Sequence, residues 1–255
     1  MQAIYDWARE LYQETGINLV FIYEEYERVR FIEGFQNTLW LGILCVILSV
    51  VIGVIGAWLQ GSHLRPVRLV VAGYIQFFRN TPPLVQLLFF YFALGKTLEN
   101  LGLMPMYEAD GWQHPLIGNF GWAVVSLSFF AGSFNVEIFR SGIEAVPTAT
   151  REAAEALGYT RLKAYIYIVL PLAFRVCLPA LNNNLVNLVK TTTLAYVIAV
   201  PEMMYTANQI WSDNVNVPEM MATLFIVYVS LVGVLVWMMH RWERALRVVG
   251  FGQGA

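Results

Sequence analysis

The sequence predicts an all-α integral membrane protein whose chain crosses the bilayer five times. The prediction rests on composition, on long uncharged runs and on the distribution of charge between them. Of the 255 residues, 58% are hydrophobic and 13% are charged, whereas soluble domains have roughly 45–50% apolar and about 25% charged residues. Residues 39–59 contain no charged side chain. At about 1.5 Å per residue such a run spans the ~30 Å hydrocarbon core, and several runs of this kind argue against a soluble domain.

The five predicted spans follow the apolar runs of the sequence. They cover residues 36–60, 66–95, 121–143, 164–200 and 218–240. Arg79 and the pair Pro82-Pro83 interrupt the second span, and Pro171 and Pro179 kink the fourth. Proline has this effect because it lacks the N–H group that continues a helix.

Small residues in the first span predict a helix-packing seam. Ser49, Gly53 and Ala57 recur every four residues, with Gly56 beside them. Small side chains at this spacing let helix backbones approach closely in lipid. We therefore expect another helix to pack against this face.

Loop charges predict the orientation of the chain. Lys and Arg are concentrated after the first and third spans and in the C-terminal tail, whereas the loops after the second and fourth spans are mainly acidic. The residues concerned are His63, Arg65, Arg68, then Lys96 with Glu99, Glu108 and Asp110, then Arg140, Arg151, Arg161 and Lys163, then Glu202 and Asp213, then Arg241, Arg244 and Arg247. Positive loops face the cytoplasm. The expected organisation is an extracytoplasmic N-terminal segment (1–35), a transmembrane domain (36–247) and a cytoplasmic tail (248–255).

The loop between the third and fourth spans, about residues 144–171, has its own helix signals. Pro147 fixes a turn, and Thr148 or Thr150 is placed to cap a helix that begins there. Gly158 offers a left-handed C-terminal cap. A second helical stretch, residues 160–170, is expected to end at Pro171.

The spacing of seven residues in this loop is more specific than its helix signals. Three residues separate the Glu-Ala-Ala triplet from a glycine. Nine residues then separate this glycine from an isoleucine, and one residue separates the isoleucine from a Leu-Pro pair. The residues are Glu152, Ala153, Ala154, Gly158, Ile168, Leu170 and Pro171. This pattern resembles the EAA loop in the membrane subunits of bacterial ATP-binding-cassette (ABC) importers.

Further stretches extend the resemblance over roughly residues 34–247. FFRNTPPLVQLLFFYF (77–92), EIFRSGIEAVPTATREAAEALG (137–158) and LVKTTTLAYVIAVPEM (188–203) are similar to the branch that imports histidine, glutamine, arginine or glutamate. The sequence departs from this branch at Pro83, where many relatives have Leu, and in a longer outer loop, residues 96–120. The resemblance implies the type I importer permease fold, in the inner membrane of a bacterium.

The resemblance also implies the partners and the role of the loop. The EAA helix would be a cytoplasmic coupling helix that docks on an ABC ATPase subunit, with two ATPase copies per transporter. The other partners would be a second permease, identical or homologous, an external solute-binding protein, the amino-acid substrate and membrane lipid, with no nucleic acid among them. The sequence contains no GxxxxGK[ST], HExxH or GxSxG motif, so we expect no catalytic, metal or cofactor site in this chain, and ATP and Mg²⁺ bound by the partner ATPase.

Polar residues at membrane depth are the candidates for the substrate pathway, because ionisable groups there are costly and usually face an aqueous cavity. They are Arg79, Thr81, Gln86, Glu137, Lys190, Thr191 and Thr192. Structural roles are alternatives. Arg79, Arg140 and Arg175 could extend to the interface, Glu137 could pair with Arg140 one turn later, and residues 182–184 could hydrogen-bond between helices.

Two other functions compete with the importer. One is an ATP-independent channel or secondary transporter, which predicts an internal repeat or a titratable relay within the spans. The other is a membrane scaffold, which needs no polar interruption at Arg79 or Lys190. The EAA spacing argues against both. The sequence leaves open which amino acid is carried and whether the permease pair is identical.

Overall fold

The computed structural model describes residues 2–109 and 111–246. Asp110, Arg247 and the predicted tail 248–255 lie outside these ranges. The elements in chain order are α1 (Gln2–Thr15), α2 (Val20–Tyr23), α3 (Glu25–Gln60), α4 (Arg65–Asn80), α5 (Pro83–Leu88), a π-helical segment (Phe89–Gly95), α6 (Lys96–Asn100), β1 (Met106–Ala109), β2 (Trp112–Pro115), α7 (Asn119–Glu144), α8 (Thr148–Ala156), α9 (Arg161–Ala164), a second π-helical segment (Tyr165–Val169), α10 (Leu170–Thr191), a 3-10 segment (Thr192–Ile198), α11 (Met203–Asn214) and α12 (Val217–Leu246).

Four helical segments within the described residues are long and apolar enough to cross a membrane. They are Glu25–Gln60, Asn119–Glu144, Arg161–Ile198 and Val217–Leu246. They correspond to the first, third, fourth and fifth predicted spans. The first begins 11 residues earlier than predicted, at Glu25 instead of residue 36, and the last continues beyond residue 240 to Leu246.

The second predicted span is a broken helix. It consists of α4, an interruption at residues 81–82, α5, the first π-helical segment and α6. Thr81 has an extended backbone (φ −114°, ψ 143°), as expected for a residue that precedes proline. The prolines therefore end α4 after 16 residues, and no part of the second span alone matches the length of the other four.

The fourth span does not stop at Pro171, so the prediction that a separate helix ends there is wrong. The chain is helical from Arg161 to Ile198. Just before Pro171, the Leu170 N–H donates to the carbonyl of Tyr165, five residues back. This wider turn absorbs the irregularity that a proline introduces, and the helix continues through it.

The chain forms two compact units, and each of the four long helices contributes a part to both. Unit 1 contains residues 1–45, 84–127 and 189–233, and unit 2 contains 46–83, 128–188 and the remainder from 234. The core of unit 2 is an apolar cluster from α3, α4, α7 and α10. Its buried members are Ala57, Val71, Ile75, Val136, Phe139, Cys177, Leu178, Leu181 and Leu185.

The packing seam predicted from small residues in the first span is confirmed within unit 2. A Cβ atom at Gly53 would lie 2.4 Å from the Cβ atom of Asn135, and one at Gly56 would lie 2.3 Å from a methyl group of Val136. Both partners are on α7. Because Gly53 and Gly56 have no side chains, α3 can pack closely against α7 at these two positions.

Replacing Gly56 with valine should destabilise the protein by about 1–3 kcal/mol, the usual effect of overpacking. The change forces α3 away from α7, because the contact with Val136 leaves no room for a side chain. The matched control is Gly73→Val, at a helical glycine of α4 where an added Cβ atom would have no neighbour within 4 Å. The thermal unfolding midpoint in detergent should fall clearly for Gly56→Val only, and equal shifts would contradict the seam.

Several elements of unit 1 were not predicted from the sequence, including α1 and α2. The loop after the fourth span forms helix α11, which packs with α12 and α2 in a core of Val20, Met203, Ala207, Ile210, Met220 and Leu224. The outer loop 96–120 forms an antiparallel hairpin in which Met106 pairs with Pro115 and Ala109 with Trp112. The all-α prediction is wrong in this detail. The Asp-Gly pair at residues 110–111 is a recognised hairpin signal, and Gly111 has the positive φ (+77°) that such a turn requires.

Candidate functional site

Helix α8 forms the centre of the predicted EAA loop. Its N-cap is Pro147, with an extended ψ of 142° and no side-chain capping hydrogen bond. The prediction that Thr148 or Thr150 caps the helix is wrong. Pro147 is the last residue with an extended backbone, so the helix begins at Thr148 and both threonines lie inside it. The hydroxyl of Thr160 does cap the next helix, α9, and accepts from the Lys163 N–H.

The C-terminal end of α8 has the geometry that the sequence predicts. Gly158 has φ +88°, its N–H donates to the Glu155 carbonyl, and the Tyr159 N–H donates to the Ala154 carbonyl. These two bonds define a Schellman motif, which a left-handed residue after the helix makes possible. Gly158 therefore turns the chain from α8 into α9.

The EAA residues occupy different environments. Glu152 and Ala153 are exposed, whereas Ala154 is 3% exposed. Ile168 lies in the second π-helical segment, and Leu170 and Pro171 begin α10. The first part of the motif therefore lies in the solvent-facing helix α8 and the turn after it. The second part lies in the following long helical segment.

Apolar side chains next to the EAA helix are exposed, and they were not selected from the sequence. Leu157 is 79% exposed and Leu162 is 68% exposed, with Tyr159 between them also exposed. The sequence feature that could have identified them is the presence of large apolar residues in a short polar loop. Exposed apolar groups beside a presented helix are typical of a protein–protein contact.

Arg79 and Glu137 form an ion pair in unit 2. An Arg79 Nη1 atom donates to Glu137 Oε2, and the guanidinium carbon lies 5.2 Å from the centroid of the Phe134 ring. The side chains are 37% and 40% exposed. The alternative pairing of Glu137 with Arg140 is wrong. Arg140 Nε donates instead to Glu144 Oε1 at 2.6 Å, because residues four apart lie on one helix face.

The asparagines of α10 hydrogen-bond to neighbouring helices, as one interpretation of the sequence predicted. Asn184 Nδ2 donates to the Asn135 Oδ1 at 2.7 Å and to the Ala131 carbonyl at 3.1 Å. Asn182 Nδ2 donates to the Met239 carbonyl at 3.5 Å. These amides connect α10 with α7 and α12 inside unit 2.

The remaining pathway candidates differ in accessibility. Thr81 is partly exposed and its hydroxyl donates to the Phe77 carbonyl, 2.7 Å away. In unit 1, Gln86 and Thr192 are buried, Thr191 is partly buried and Lys190 is exposed. Among these candidates, Arg79 and Glu137 contact each other directly.

Unit 1 contains a buried carboxylate, Glu202, which was assigned from the sequence to the loop after the fourth span. Glu202 is 0% exposed and caps α11, accepting from the Met204 and Tyr205 N–H groups. The Tyr228 hydroxyl of α12 donates to Glu202 Oε2 at 3.1 Å. Nearby, Thr38 Oγ1 of α3 accepts from the Met203 N–H at 2.9 Å. Glu202 lies between the fourth and fifth spans, and burial raises its pKa to about 7.

The raised pKa of Glu202 predicts a pH-dependent stability. The folded protein holds the Glu202 proton up to about pH 7, whereas the unfolded chain releases it near 4.5. The contribution of Glu202 to stability is therefore fully present below about pH 4.5 and is lost as pH rises to about 7, by up to about 3 kcal/mol. Glu202→Gln should flatten the dependence of the unfolding midpoint on pH. The exposed Glu108→Gln is the control, and an unchanged pH profile in Glu202→Gln would contradict the assignment.

A partly buried polar network connects the start of α3 to α11. Arg30 donates to Glu27 and Asp213, each at 2.9 Å, and to Gln209 at 2.8 Å. The Glu27 carboxylate also accepts from Asn214 Nδ2 at 3.0 Å. Because both carboxylates are matched by hydrogen-bond donors, this network has a structural role within unit 1.

These features define a multi-helix membrane protein that presents a short capped helix between two of its spans. The sequence profile of the family described as "Binding-protein-dependent transport system inner membrane component" matches residues 49–248. The chain belongs to this family.

Characterised relatives extend over most of the chain. The glutamine transport system permease protein of Escherichia coli (strain K12) is 30% identical over 225 residues, which cover 86% of this chain and 93% of the relative. The arginine transport system permease protein of Bacillus subtilis (strain 168) is 31% identical over 216 residues, 85% of this chain and 92% of the relative.

Solved structures share the fold. A crystal structure of an amino acid ABC transporter with histidines has a TM-score of 0.74 and 28% identity, and covers 89% of this chain and 99% of the other. An inward-facing structure of the MetNI methionine ABC transporter has a TM-score of 0.67 and 20% identity, over 88% of this chain and 100% of the other. The fold is thus that of an ABC type I permease.

Proposed function

We propose that this chain is the membrane-spanning subunit of an ABC importer that carries polar amino acids into the cell. The observation that carries the proposal is the EAA loop, whose spacing the structure converts into an exposed helix with a Schellman end. The amino-acid class is supported by similarity to glutamine, arginine and glutamate/aspartate permeases.

Helix α8 is the coupling helix that docks on a separate ATPase subunit, which binds the ATP and Mg²⁺. Ala153 is exposed and has a small side chain, so a partner can approach the helix backbone closely at this position. The exposed Leu157 and Leu162 supply apolar contacts beside it. The turn at Gly158 fixes the direction of α8 relative to α9. When the docked ATPase subunit moves α8, α9 and the fourth span therefore move with it.

The chain crosses the inner membrane five times, with the N-terminus outside and the C-terminus in the cytoplasm. Four apolar helices and the broken α4–α5 segment supply the five crossings. An interrupted helix is compatible with a membrane where its freed backbone groups face protein or a water-filled cavity. The alternation of loop charge supports the orientation.

The transporter assembles from two permease chains, identical or homologous, with two ATPase subunits and an external solute-binding protein. One chain contributes half of the pathway. Arg79 and Glu137 present both signs of charge and are each about two-fifths exposed, which suits a zwitterionic amino acid. Thr81, Gln86, Lys190, Thr191 and Thr192 are the further pathway candidates.

Purification of the tagged chain from its native membrane in mild detergent tests the assembly. We expect mass spectrometry to find an ATPase subunit at about one copy per permease, and a second permease if the pair is heteromeric. The complex in proteoliposomes should accumulate labelled glutamine, glutamate, arginine or histidine only with ATP inside and binding protein outside. A chain recovered without ATPase, or uptake that ignores ATP, would contradict the proposal.

A further inference from the structure

A cleft in unit 2 runs from a polar end to an apolar end beside the coupling loop. The polar part has a volume of about 780 Å³ and is lined among others by His63, Arg140, Glu144, Thr148 and Arg151. The apolar part has a volume of about 320 Å³ and is lined among others by Val54, Phe139, Leu170 and Phe174. Ala57, Trp58, Ile143 and Tyr165 line both parts, so the two are continuous.

The polar end has an excess of positive charge. Arg140 uses Nε to bind Glu144, which leaves its terminal N–H groups available, and its Nη1 lies against Gly61, 3.4 Å from the position of an added Cβ atom. Arg151 has no ion pair or hydrogen bond to its side chain within the described part of the chain. Two guanidinium groups against one carboxylate leave one net positive charge, and His63 adds a ring N–H donor.

Aromatic side chains lie where the polar part of the cleft meets the apolar part. Trp58 lies in the last turn of α3 and is 70% exposed, and Tyr167 at the start of the fourth span is also exposed. Exposed Trp and Tyr side chains at the ends of spans lie at the depth of the lipid headgroups. Val54, one turn before Trp58, therefore lies in the acyl-chain region, and Arg151 lies on the water side.

We propose that this cleft binds one anionic phospholipid from the cytoplasmic leaflet. Its phosphate lies between Arg140 and Arg151, and an acyl chain follows the apolar part past Val54 and Phe174. The headgroup charge decides the selectivity, because the acyl chain is as well solvated by surrounding lipid as by the protein. Basic pockets between helices on the cytoplasmic side are suited to anionic headgroups. The proposal rests on the orientation given under the proposed function.

The position of the cleft gives the lipid a route to the coupling loop. Thr148, Arg151 and Tyr165 also line a third cavity of about 450 Å³, together with Glu152, Glu155 and Arg161. Arg151, itself a residue of α8, thus lines both the cleft and this third cavity. A bound phosphate holds Arg151, and with it α8, in the orientation that the structure shows.

The proposal is tested on the intact permease–ATPase complex in nanodiscs of phosphatidylcholine with or without phosphatidylglycerol, with bound lipid counted by native mass spectrometry. Arg151→Gln and Arg140→Gln should each weaken phosphatidylglycerol binding about fivefold, the effect of one charge at a lipid surface. Arg68→Gln, an exposed arginine outside the cleft, is the control and should have no effect.

A second variant distinguishes a lipid from a free phosphate ion. Val54→Trp fills the apolar part at a half-exposed position and should reduce phosphatidylglycerol binding while leaving binding of inorganic phosphate unchanged. Phosphate binding without lipid retention, or equal loss in Arg68→Gln, would overturn the proposal. Lipid bound to the free permease but displaced in the complex would show that the ATPase covers the cleft, which also overturns it. Uptake and ATPase co-purification are measured separately, so failure of the lipid site is distinguishable from failure of the importer.

Discussion

Replacing Gly158 with valine is expected to reduce coupled transport about tenfold while the protein still inserts into the membrane. Gly158 has φ +88° and no atom within 4 Å of an added Cβ, so the effect comes from the backbone and not from a clash. A non-glycine residue in the left-handed region costs about 1–2 kcal/mol, which lowers the population of the docked conformation about tenfold. Valine, branched at Cβ, also removes the Schellman turn that directs α9.

The measurement is ATP-driven uptake by reconstituted complexes, with ATP hydrolysis recorded in the same vesicles. Gly102→Val is the matched control, because Gly102 also has a positive φ (+66°) and open space around it but lies in the outer loop. Gly158→Asn should be intermediate, since asparagine tolerates the left-handed conformation better. Full uptake in Gly158→Val would rule out a role for this turn in coupling.

Removing Glu137 is expected to be the second most damaging change. Glu137→Gln leaves the Arg79 guanidinium without the carboxylate that it binds in the structure, and an unmatched charge within a membrane protein is costly. Arg79→Met leaves the opposite charge unmatched. The double variant Arg79→Met/Glu137→Gln removes both charges, so it should be more stable than the sum of the single effects, by up to about 1 kcal/mol of coupling, because both side chains are partly exposed.

The double-mutant cycle is measured on unfolding midpoints in detergent, with uptake measured in parallel. Arg140→Gln/Glu144→Gln is the comparison cycle, because its residues lie four apart on one helix and Glu144 is 60% exposed; its coupling should be smaller, about 0.3–0.5 kcal/mol. If the double variant is stable but still inactive, the pair contributes to transport as well as to folding. Additive effects in the Arg79–Glu137 cycle would show that the ion pair does not contribute to stability.

Local chemistry explains why several features could be predicted from the sequence. Uncharged runs place four of the long helices, because each span must bury its own backbone polar groups in lipid regardless of its neighbours. The end of α8 at Gly158 and the break at Pro82-Pro83 follow from the backbone preferences of single residues. The seam of Gly53 and Gly56 follows from one helix alone, although its partner, α7, could not be identified from that helix.

Errors arose where a local preference met a tertiary constraint. Pro171 is a helix-stopping signal, yet the π-helical segment before it lets the fourth span continue. Thr148 is a good capping residue, yet Pro147 occupies the cap. Glu202 has the sequence context of a solvated loop charge, yet contacts from α12 bury it at the start of α11.

The sequence by itself determined the class of protein, a membrane-embedded chain with a specific loop motif. Apolar runs and fixed spacings carry this information, and they act over short distances. Only the tertiary structure decided which charges are paired and which are buried. Arg79 and Glu137 are 58 residues apart in the chain, and Glu202 meets Tyr228 across 26 residues. A side chain's electrostatic environment depends on the groups that folding brings within a few ångströms, and no local pattern in the sequence records them.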